Sequence, residues 1–146
     1  MPENVVIREA DFNRDFSALR HIRETVFVRE QSVPLELEWD AYDQEACHLL
    51  AWVGDQAVAT ARLLRDGKIG RMAVLPEWRH QGIGTALLRR LLDRAAERGL
   101  THVWLSAQVK AIPFYQRLGF RVRGPVYEDA GIAHQDMTRP LPTATA

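Results

Sequence analysis

The chain has a single cysteine and no surplus charge of either sign, and both features limit the classes of protein to which it can belong. Cys47 is the single cysteine among 146 residues, which excludes an internal disulfide and favours a reducing compartment. Nineteen basic residues balance nineteen acidic ones, so no global field favours a nucleic acid partner. No apolar run approaches the roughly 20 residues that cross a bilayer, and residues 1–4 do not resemble a secretory signal. We therefore expect a cytoplasmic protein with no membrane or nucleic acid partner.

Length and composition predict one globular domain over residues 1–146. Hydrophobic residues make up 47% and charged residues 26% of the chain, as in ordinary folded proteins. The final segment 140–146 has a composition typical of a frayed tail. Cys47 has apolar neighbours and is expected to be a buried thiol without a chemical role. Four scattered histidines lack cysteine or carboxylate companions at ligand spacing, which predicts no metal site: His21, His48, His80 and His102.

Hydrophobic periodicity predicts alternating strands and helices. Strands are predicted at residues 5–8, 48–53, 57–64, 69–74, 102–107, 120–123 and 134–137, with a connection at 127–131 between the last two. Helices are predicted at 16–27, 83–98 and 111–118, the first of them capped by Asp11. The order β-α-β-β-β-α-β-α-β-β predicts an α/β fold, with a mixed sheet and helices on its faces.

The segment Arg79-His80-Gln81-Gly82-Ile83-Gly84 lies between a predicted buried strand and an amphipathic helix. Glycines at a helix start let the backbone approach a ligand, and the N–H groups of the first turn have no acceptor within the helix. Together with the helix dipole, these groups form an anion site. A purely structural turn that packs the helix closely on the sheet explains the same glycines, and the motif alone does not decide between the two.

This turn and the later segment Phe114-Tyr115-Gln116-Arg117-Leu118-Gly119-Phe120 resemble two motifs of the GNAT superfamily of N-acetyltransferases, in the same order and at the same separation. The resemblance spans about residues 3–139 and implies the GNAT fold. A dinucleotide-binding fold does not fit, because three strands follow one another before the glycine turn. The implied reaction transfers the acetyl group of acetyl-CoA directly to a primary amine in a ternary complex, without a metal.

The resemblance assigns acetyl-CoA to the backbone around the glycine turn. The implied pyrophosphate-binding residues are Arg79, Gln81, Gly82, Ile83, Gly84 and Thr85. Met72, Ala73 and Val74 would pair with the pantetheine arm, and strand amides there would polarise the acetyl carbonyl. Many members carry an asparagine after the fifth strand, for which Gln108 and Lys110 are the candidate substitutes here.

Two residues match catalytic positions of the family. Tyr115 corresponds to a tyrosine that protonates or hydrogen-bonds the departing CoA thiolate. His134 corresponds to a histidine that opens the last strand in the small bacterial branch of ElaA-like proteins and glyphosate acetyltransferases, where it acts as the base. A core tyrosine and a strand-edge histidine without a chemical role are the alternatives.

The same branch implies an acceptor pocket lined by Phe27, Glu30, Gln31, Arg71 and Gln108. Arg71 matches an arginine that holds an acidic substrate in the glyphosate-acetylating relatives. A second arginine of theirs corresponds to Gln108, which disfavours a phosphonate or dicarboxylate acceptor. Glu30 and the acidic residues Glu36, Glu38 and Asp40 could attract a cationic amine, or residues 36–40 could form a solvated loop.

We therefore expect an acetyl-CoA-dependent N-acetyltransferase that acts on a small-molecule amine. Two alternatives stay open: a non-catalytic module that binds or senses acyl-CoA, and an enzyme that acetylates a protein lysine or N-terminus. The resemblance also leaves open a homodimer, because dimers are common among such proteins.

Overall fold

A seven-stranded mixed sheet organises the part of the chain that the structure, a computed structural model, describes: residue 2 and residues 4–142. The strands are β1 Val5–Ala10, β2 Cys47–Val53, β3 Gln56–Leu63, β4 Lys68–Val74, β5 His102–Gln108, β6 Arg121–Asp129 and β7 Ile132–Pro140. Their order across the sheet is β1-β2-β3-β4-β5-β7-β6, and β4 and β5 form its parallel pair. The helices are α1 Phe16–Arg23, α2 Leu35–Glu38, α3 Ile83–Glu97 and α4 Ile112–Arg117. A π-helical segment, Glu24–Glu30, continues α1, and short 3-10 turns lie at Pro76–Trp78 and Val109–Ala111.

The predicted α/β class and order of elements are confirmed, with one short helix added. Helix α2 follows Pro34 and comprises four residues of the acidic stretch. A helix of one turn has no hydrophobic periodicity to reveal it, and it is held by contacts with distant arginines rather than by its own sequence.

The first helix differs from the prediction at both ends. Asp11 does not cap it: the Asp11 carboxylate accepts backbone N–H groups of Asn13 at 3.0 Å and Arg14 at 2.8 Å, in the turn before the helix. At the other end, α-helical hydrogen bonding gives way to π-helical bonding at Glu24. The extra residue per turn changes which side chains face the sheet, so the predicted continuation through Phe27 is helical but not regular.

The last two strands are longer than predicted, with nine residues each. The turn between them consists of Ala130 and Gly131, both with positive φ of 51° and 78°, so most of the predicted connection at 127–131 is strand. The prediction of a frayed tail is wrong for residues 140 and 141. Pro140 ends β7, and Leu141 is buried and donates its N–H to the Thr101 carbonyl at 2.8 Å. The rest of that prediction, 143–146, lies outside the described residues.

The two faces of the sheet are covered unequally. Helix α3 packs its apolar stripe against one face, and α1 packs Leu19 and Ile22 against the other face over β2, β3 and β4. Strand β6 is exposed along its whole length. The second face is therefore open beyond β4, where the cleft described below lies. Among the helices that the structure describes, none combines the length and the apolar composition needed to cross a membrane.

Candidate active site

A cleft of about 740 Å³ opens where β4 and β5 separate. The two strands pair only at Lys68–Trp104 and Ile69–Leu105. Just beyond, β4 contains a β-bulge: the ladder to β3 shifts after Gly70, and Arg71 adopts a left-handed φ of 49°. The bulge turns the end of β4 away from β5, so its later residues line the cleft without a strand partner on that side.

The N-terminus of α3 opens into the same cleft. Gly82 caps the helix with a φ of 83°, and none of the side chains that the structure describes caps the N–H groups of the first turn. Glycine is therefore required at position 82, because other residues rarely adopt this backbone conformation. Position 84 does not require glycine, because its φ is ordinary and a Cβ there would make only van der Waals contacts, the nearest at 3.7 Å from Phe114. Close packing on the sheet does not explain Gly84, which favours the ligand-binding interpretation of the turn.

The residues predicted around the glycine turn lie on the cleft, with one exception. Those that line it are Met72, Ala73, Val74, Arg79, Gly82, Ile83, Gly84 and Thr85. Gln81 does not, and its side-chain amide donates to the Glu77 carbonyl at 3.4 Å. Only the backbone of Gln81 is thus available for the predicted role.

Arg79 and Glu30 bind each other across the cleft. Both guanidinium Nη atoms of Arg79 donate to the Glu30 carboxylate, at 2.7 and 2.6 Å, and Nε donates to the Val74 carbonyl at 2.9 Å. The hydrogen bond from Arg79 lowers the pKa of Glu30. The predicted cosubstrate residue and the predicted acceptor residue therefore neutralise one another in this state, and they join the π-helical segment to the loop before α3.

Tyr115 reaches into the cleft from α4. Its hydroxyl donates to the sulfur of Met72 at 3.7 Å, and its ring makes edge contacts with Phe114 and Phe120. Burial raises the pKa of Tyr115 to about 12. The hydroxyl is therefore a proton donor at neutral pH, beside the edge of β4 where the two strands part.

His134 lies on the opposite wall, on β7. Its Nδ1 lies 2.7 Å from the Ile132 carbonyl, so Nδ1 carries the proton that it donates and Nε2 keeps a lone pair. The imidazole stacks on Tyr127 with ring centroids 6.2 Å apart. Gln108 pairs with His134 in the ladder, and its side chain donates to Gln31 at 2.7 Å. The predicted base therefore has a fixed orientation and an available nitrogen.

Next to His134, the structure contains a hydrogen-bonded chain that sequence reasoning missed. The Tyr127 hydroxyl donates to Asp136 at 2.5 Å and also hydrogen-bonds to the Ser106 hydroxyl. The antiparallel pairing of residues 120–123 with 134–137 is as expected from the sequence, but its extension through Tyr127, which lies in the predicted connection and pairs with His134, is not.

The predicted acceptor residues Phe27, Glu30, Gln31, Arg71 and Gln108 all line the cleft. Arg71 is committed elsewhere, however, because its Nε and Nη2 donate to the Glu38 carbonyl at 3.1 and 2.9 Å. Glu36 is exposed to solvent as expected, but it lies in α2 rather than in a loop. Glu38 is neither available to a cationic amine nor part of a solvated loop, because it is 2% exposed and ion-paired.

Six charged side chains form a closed ring beneath the acceptor side of the cleft. Acids and bases alternate around it in the order Arg23, Glu38, Arg71, Asp40, Arg62 and Asp43, with contacts of 2.7 to 3.3 Å. Every carboxylate in the ring touches two arginines, and every arginine touches two carboxylates. The ring fastens α1, α2 and the following loop to β3 and β4, and it uses acids that sequence analysis had left available to an amine.

The surroundings in the ring lower the pKa of one carboxyl group, Asp43, and raise that of another, Glu38. Burial acts to raise the pKa of Asp43, but the hydrogen bond and charge of Arg23 outweigh it and lower that pKa to about 2. For Glu38, burial prevails over the attraction of Arg71 and raises the pKa. Burial lowers the pKa of His48, whose Nε2 lies 2.8 Å from the Asp43 carbonyl, so this histidine is neutral. Asp43 is therefore the carboxylate whose ionisation supports folding most strongly.

Cys47 is buried, and burial raises the pKa of its thiol to about 11, which leaves it unreactive. Over residues 4–142, no group of three or more histidine, cysteine, aspartate or glutamate side chains has the arrangement to hold a metal ion.

Comparisons with known proteins agree with this fold. A family model described as an acetyltransferase (GNAT) domain matches residues 13–141. The chain is 37% identical to the uncharacterized N-acetyltransferase YjcF of Bacillus subtilis, over 82% of this chain and 88% of that protein. It is similar to the crystal structure of an acyl-CoA N-acyltransferase from Pseudomonas aeruginosa, with 34% identity, a TM-score of 0.82, and 92% of this chain and 99% of that chain covered. The crystal structure of ElaA from Escherichia coli is similar at 30% identity and a TM-score of 0.83, with the same shares covered.

Proposed function

Since the chain belongs to the GNAT acetyltransferase family, we propose that it transfers the acetyl group of acetyl-CoA to the primary amine of a small molecule. One observation carries the proposal: the uncapped first turn of α3, the Tyr115 hydroxyl and the free Nε2 of His134 face one cleft. A module that only bound acyl-CoA would need the first of these and neither of the others.

The donor half of the cleft has the groups that acyl-CoA needs. The N–H groups of the first turn of α3 would hold the pyrophosphate, since they have no other acceptor. The unpaired edge of β4 beyond the bulge would accept the pantetheine arm as an additional strand partner. Backbone N–H groups of Met72 to Val74 would stabilise the negative charge that develops on the acetyl oxygen.

The acceptor half has the groups for two proton transfers. His134 takes a proton from the acceptor ammonium through Nε2, and the neutral amine then attacks the thioester carbonyl directly. As the carbon–sulfur bond breaks, the departing thiolate takes the Tyr115 hydroxyl proton. The acylated nitrogen loses its remaining extra proton, which returns to the Tyr115 phenolate through solvent, leaving CoA thiol, a neutral acetamide and a protonated His134. The opposite positions of the two side chains suit a ternary complex in which both substrates are bound at once. Such chemistry fits a cytoplasmic setting, where a free thiol such as Cys47 stays reduced.

Isothermal titration of the purified protein with acetyl-CoA tests the donor half, with CoA and NADH as comparators. We expect micromolar affinity for acetyl-CoA and no heat from NADH. Release of CoA thiol on addition of small amines then tests transfer, with a lysine-containing peptide and a peptide N-terminus as competing acceptors. Absence of binding to either CoA species refutes the proposal, and binding without transfer to any acceptor leaves a sensing module in its place.

A matched pair of variants at Gly84 locates the phosphate site. Gly84→Asp adds a carboxylate at the first turn of α3, which stabilises the helix but repels a pyrophosphate. Gly84→Asn has nearly the same shape without the charge. We expect acetyl-CoA affinity to fall at least tenfold further in the aspartate variant than in the asparagine variant, with both proteins folded by circular dichroism. Equal affinities would place the pyrophosphate elsewhere.

A further inference from the structure

Arg62 is a buried arginine on the cleft wall with half of its guanidinium unused. It is 3% exposed, and its Nη1 makes all of its ion-pair contacts, to Asp40 at 2.9 and 3.1 Å and to Asp43 at 2.9 Å. Among residues 4–142, neither the buried Nε nor Nη2 has a hydrogen-bond partner. The Nε–Nη2 edge is one of the faces with which arginine binds a carboxylate through two parallel hydrogen bonds. A buried donor edge without an acceptor is costly, which points to a ligand group that completes it.

Gly70 leaves open space in the cleft beside the Nε–Nη2 edge of Arg62, and we call this space the floor of the cleft. It pairs with Arg62 across the β3–β4 ladder, so the two residues share a face of the sheet. A Cβ at Gly70 would meet no atom within 4 Å, and its φ is not in the left-handed region. Neither packing nor backbone conformation therefore requires glycine at this position, and its effect is to leave space in the cleft.

The charge on this floor is positive. The ring around Arg62 contains three arginines and three carboxylates and sums to zero. Lys68 lies on the same face of β4 as Gly70, with its ammonium 4.9 Å from the centre of the Trp104 ring. Within the described part of the chain Lys68 makes no ion pair. Of the other cleft charges, Glu30 is paired with Arg79, Lys110 and Asp129 have opposite signs, and Arg117 adds one more cation.

We propose that the acceptor is a small amino acid, whose carboxylate binds the Nε–Nη2 edge of Arg62 above Gly70 with Lys68 as its counter-charge. The inference rests on the proposed acetyl transfer and names its substrate class. Gly70 and Met72 are two residues apart and thus separated by at most about 7 Å, which limits the separation of carboxylate and amine to a few bonds. Arg71, the arginine that the family resemblance indicates, uses its Nε–Nη2 edge to bind α2 and Asp40, whereas the same edge of Arg62 is free among the described residues.

Matched acceptors that differ only by a carboxylate test this site. We would measure thiol release at saturating acetyl-CoA with β-alanine against ethylamine, and with 4-aminobutyrate against propylamine. Two charge-assisted hydrogen bonds predict a kcat/KM at least roughly tenfold higher for the carboxylated member of one pair or both. Equal kcat/KM values within both pairs would overturn the carboxylate site while leaving acetyl transfer to amines intact.

Variants test whether the Nε–Nη2 edge of Arg62 causes the preference for carboxylated acceptors. Arg62→Lys keeps a cation beside Asp40 and Asp43 but has no two-donor edge, and Gly70→Ala places a methyl group on the open floor. In each variant we expect the ratio of kcat/KM for the carboxylated acceptor to kcat/KM for its matched amine to fall at least fivefold. The fall should come from a higher KM for the carboxylated acceptor. Arg121→Gln removes an exposed cation of β6 outside the cleft and should leave the ratio and the activity unchanged. A ratio that persists in Gly70→Ala, whose fold is checked by thermal unfolding, refutes the inference whatever Arg62→Lys does.

A binding measurement separates this inference from the proposed function. The CoA-saturated protein is titrated with N-acetyl-β-alanine and with N-ethylacetamide, which differ only by the carboxylate. Tighter binding of the carboxylated compound, reduced in Gly70→Ala, supports the site without any turnover. Equal binding overturns the site alone, and failure to bind CoA at all overturns the proposed function together with it.

Discussion

Replacing Tyr115 with phenylalanine separates proton donation from cosubstrate binding. Within the described residues, the hydroxyl hydrogen-bonds only to Met72, over 3.7 Å, and a thioether is a weak acceptor. Removing that bond should cost at most about 1 kcal/mol of folding free energy, which lowers the melting temperature by about 4 °C or less. The edge contacts with Phe114 and Phe120 persist, because phenylalanine keeps the ring. The cleft should therefore keep its shape and its affinity for acetyl-CoA.

The rate should respond much more strongly than the affinity. General acid catalysis contributes about 100- to 10,000-fold, so kcat of Tyr115→Phe should fall by that factor, or by about 3 to 5 kcal/mol in barrier height. Because burial raises the pKa of Tyr115 to about 12, the proton-donating form persists throughout pH 6 to 10, and its ionisation should cause no loss of wild-type rate there. Thiol release at saturating substrates gives kcat, and titration calorimetry gives the Kd. A loss of kcat smaller than about tenfold, or an equal weakening of acetyl-CoA binding, would refute the general-acid role.

Two further predictions concern the base and the buried charges. His134→Gln removes the lone pair on Nε2 and should flatten the rise of kcat toward alkaline pH; a pH profile like that of the wild type would exclude His134 as the base. Asp43→Asn leaves three arginines facing two carboxylates and removes the ionised partner of the buried Arg23, which should cost about 3 to 5 kcal/mol in urea unfolding, whereas Asp55→Asn in the exposed β2–β3 turn should cost less than about 0.5 kcal/mol. Since the pKa of Asp43 is lowered to about 2, its contribution to stability is complete above about pH 4 and disappears as the pH falls toward 2; acid unfolding that is identical in both variants would contradict the ring.

The order of elements was predictable because most of them carry a local pattern. The stripe Ile83, Leu87, Leu91 and Ala95 recurs at helical spacing, and all four residues are buried against the sheet. The transition to π-helical bonding at Glu24 and the bulge at Arg71 have no comparable local signal. Both depend on contacts with other elements, and both shape the cleft. The family assignment is confirmed, while the catalytic and binding roles of individual residues stay predictions.

The parts of the site that sequence analysis missed are pairs of distant residues. Arg23 and Asp43 are 20 positions apart, and Arg71 and Glu38 are 33 apart, so no spacing rule associates them. Tyr127 and Ser106 meet only because β5, β7 and β6 are neighbours in the sheet. Arg62 was not selected either, because a single arginine in an apolar strand resembles no motif. A charged residue flanked by Ala61 and Leu63 in a buried strand was nevertheless a signal that it had partners in the core.

The ring of charges also bears on how the acceptor reaches its reactive form. An acid-rich segment beside an amine pocket would stabilise the ammonium form and oppose nucleophilic attack. Here each of the three carboxylates is shared between two arginines, so none is left to hold an ammonium. In the proposed complex, the cation of Lys68 would balance the carboxylate of the acceptor, so that this carboxylate would not hold the amine in its ammonium form and His134 could remove the proton. Under this proposal, one arrangement of charges would both select an acceptor with a carboxylate and leave its amine free to lose a proton before it attacks the thioester.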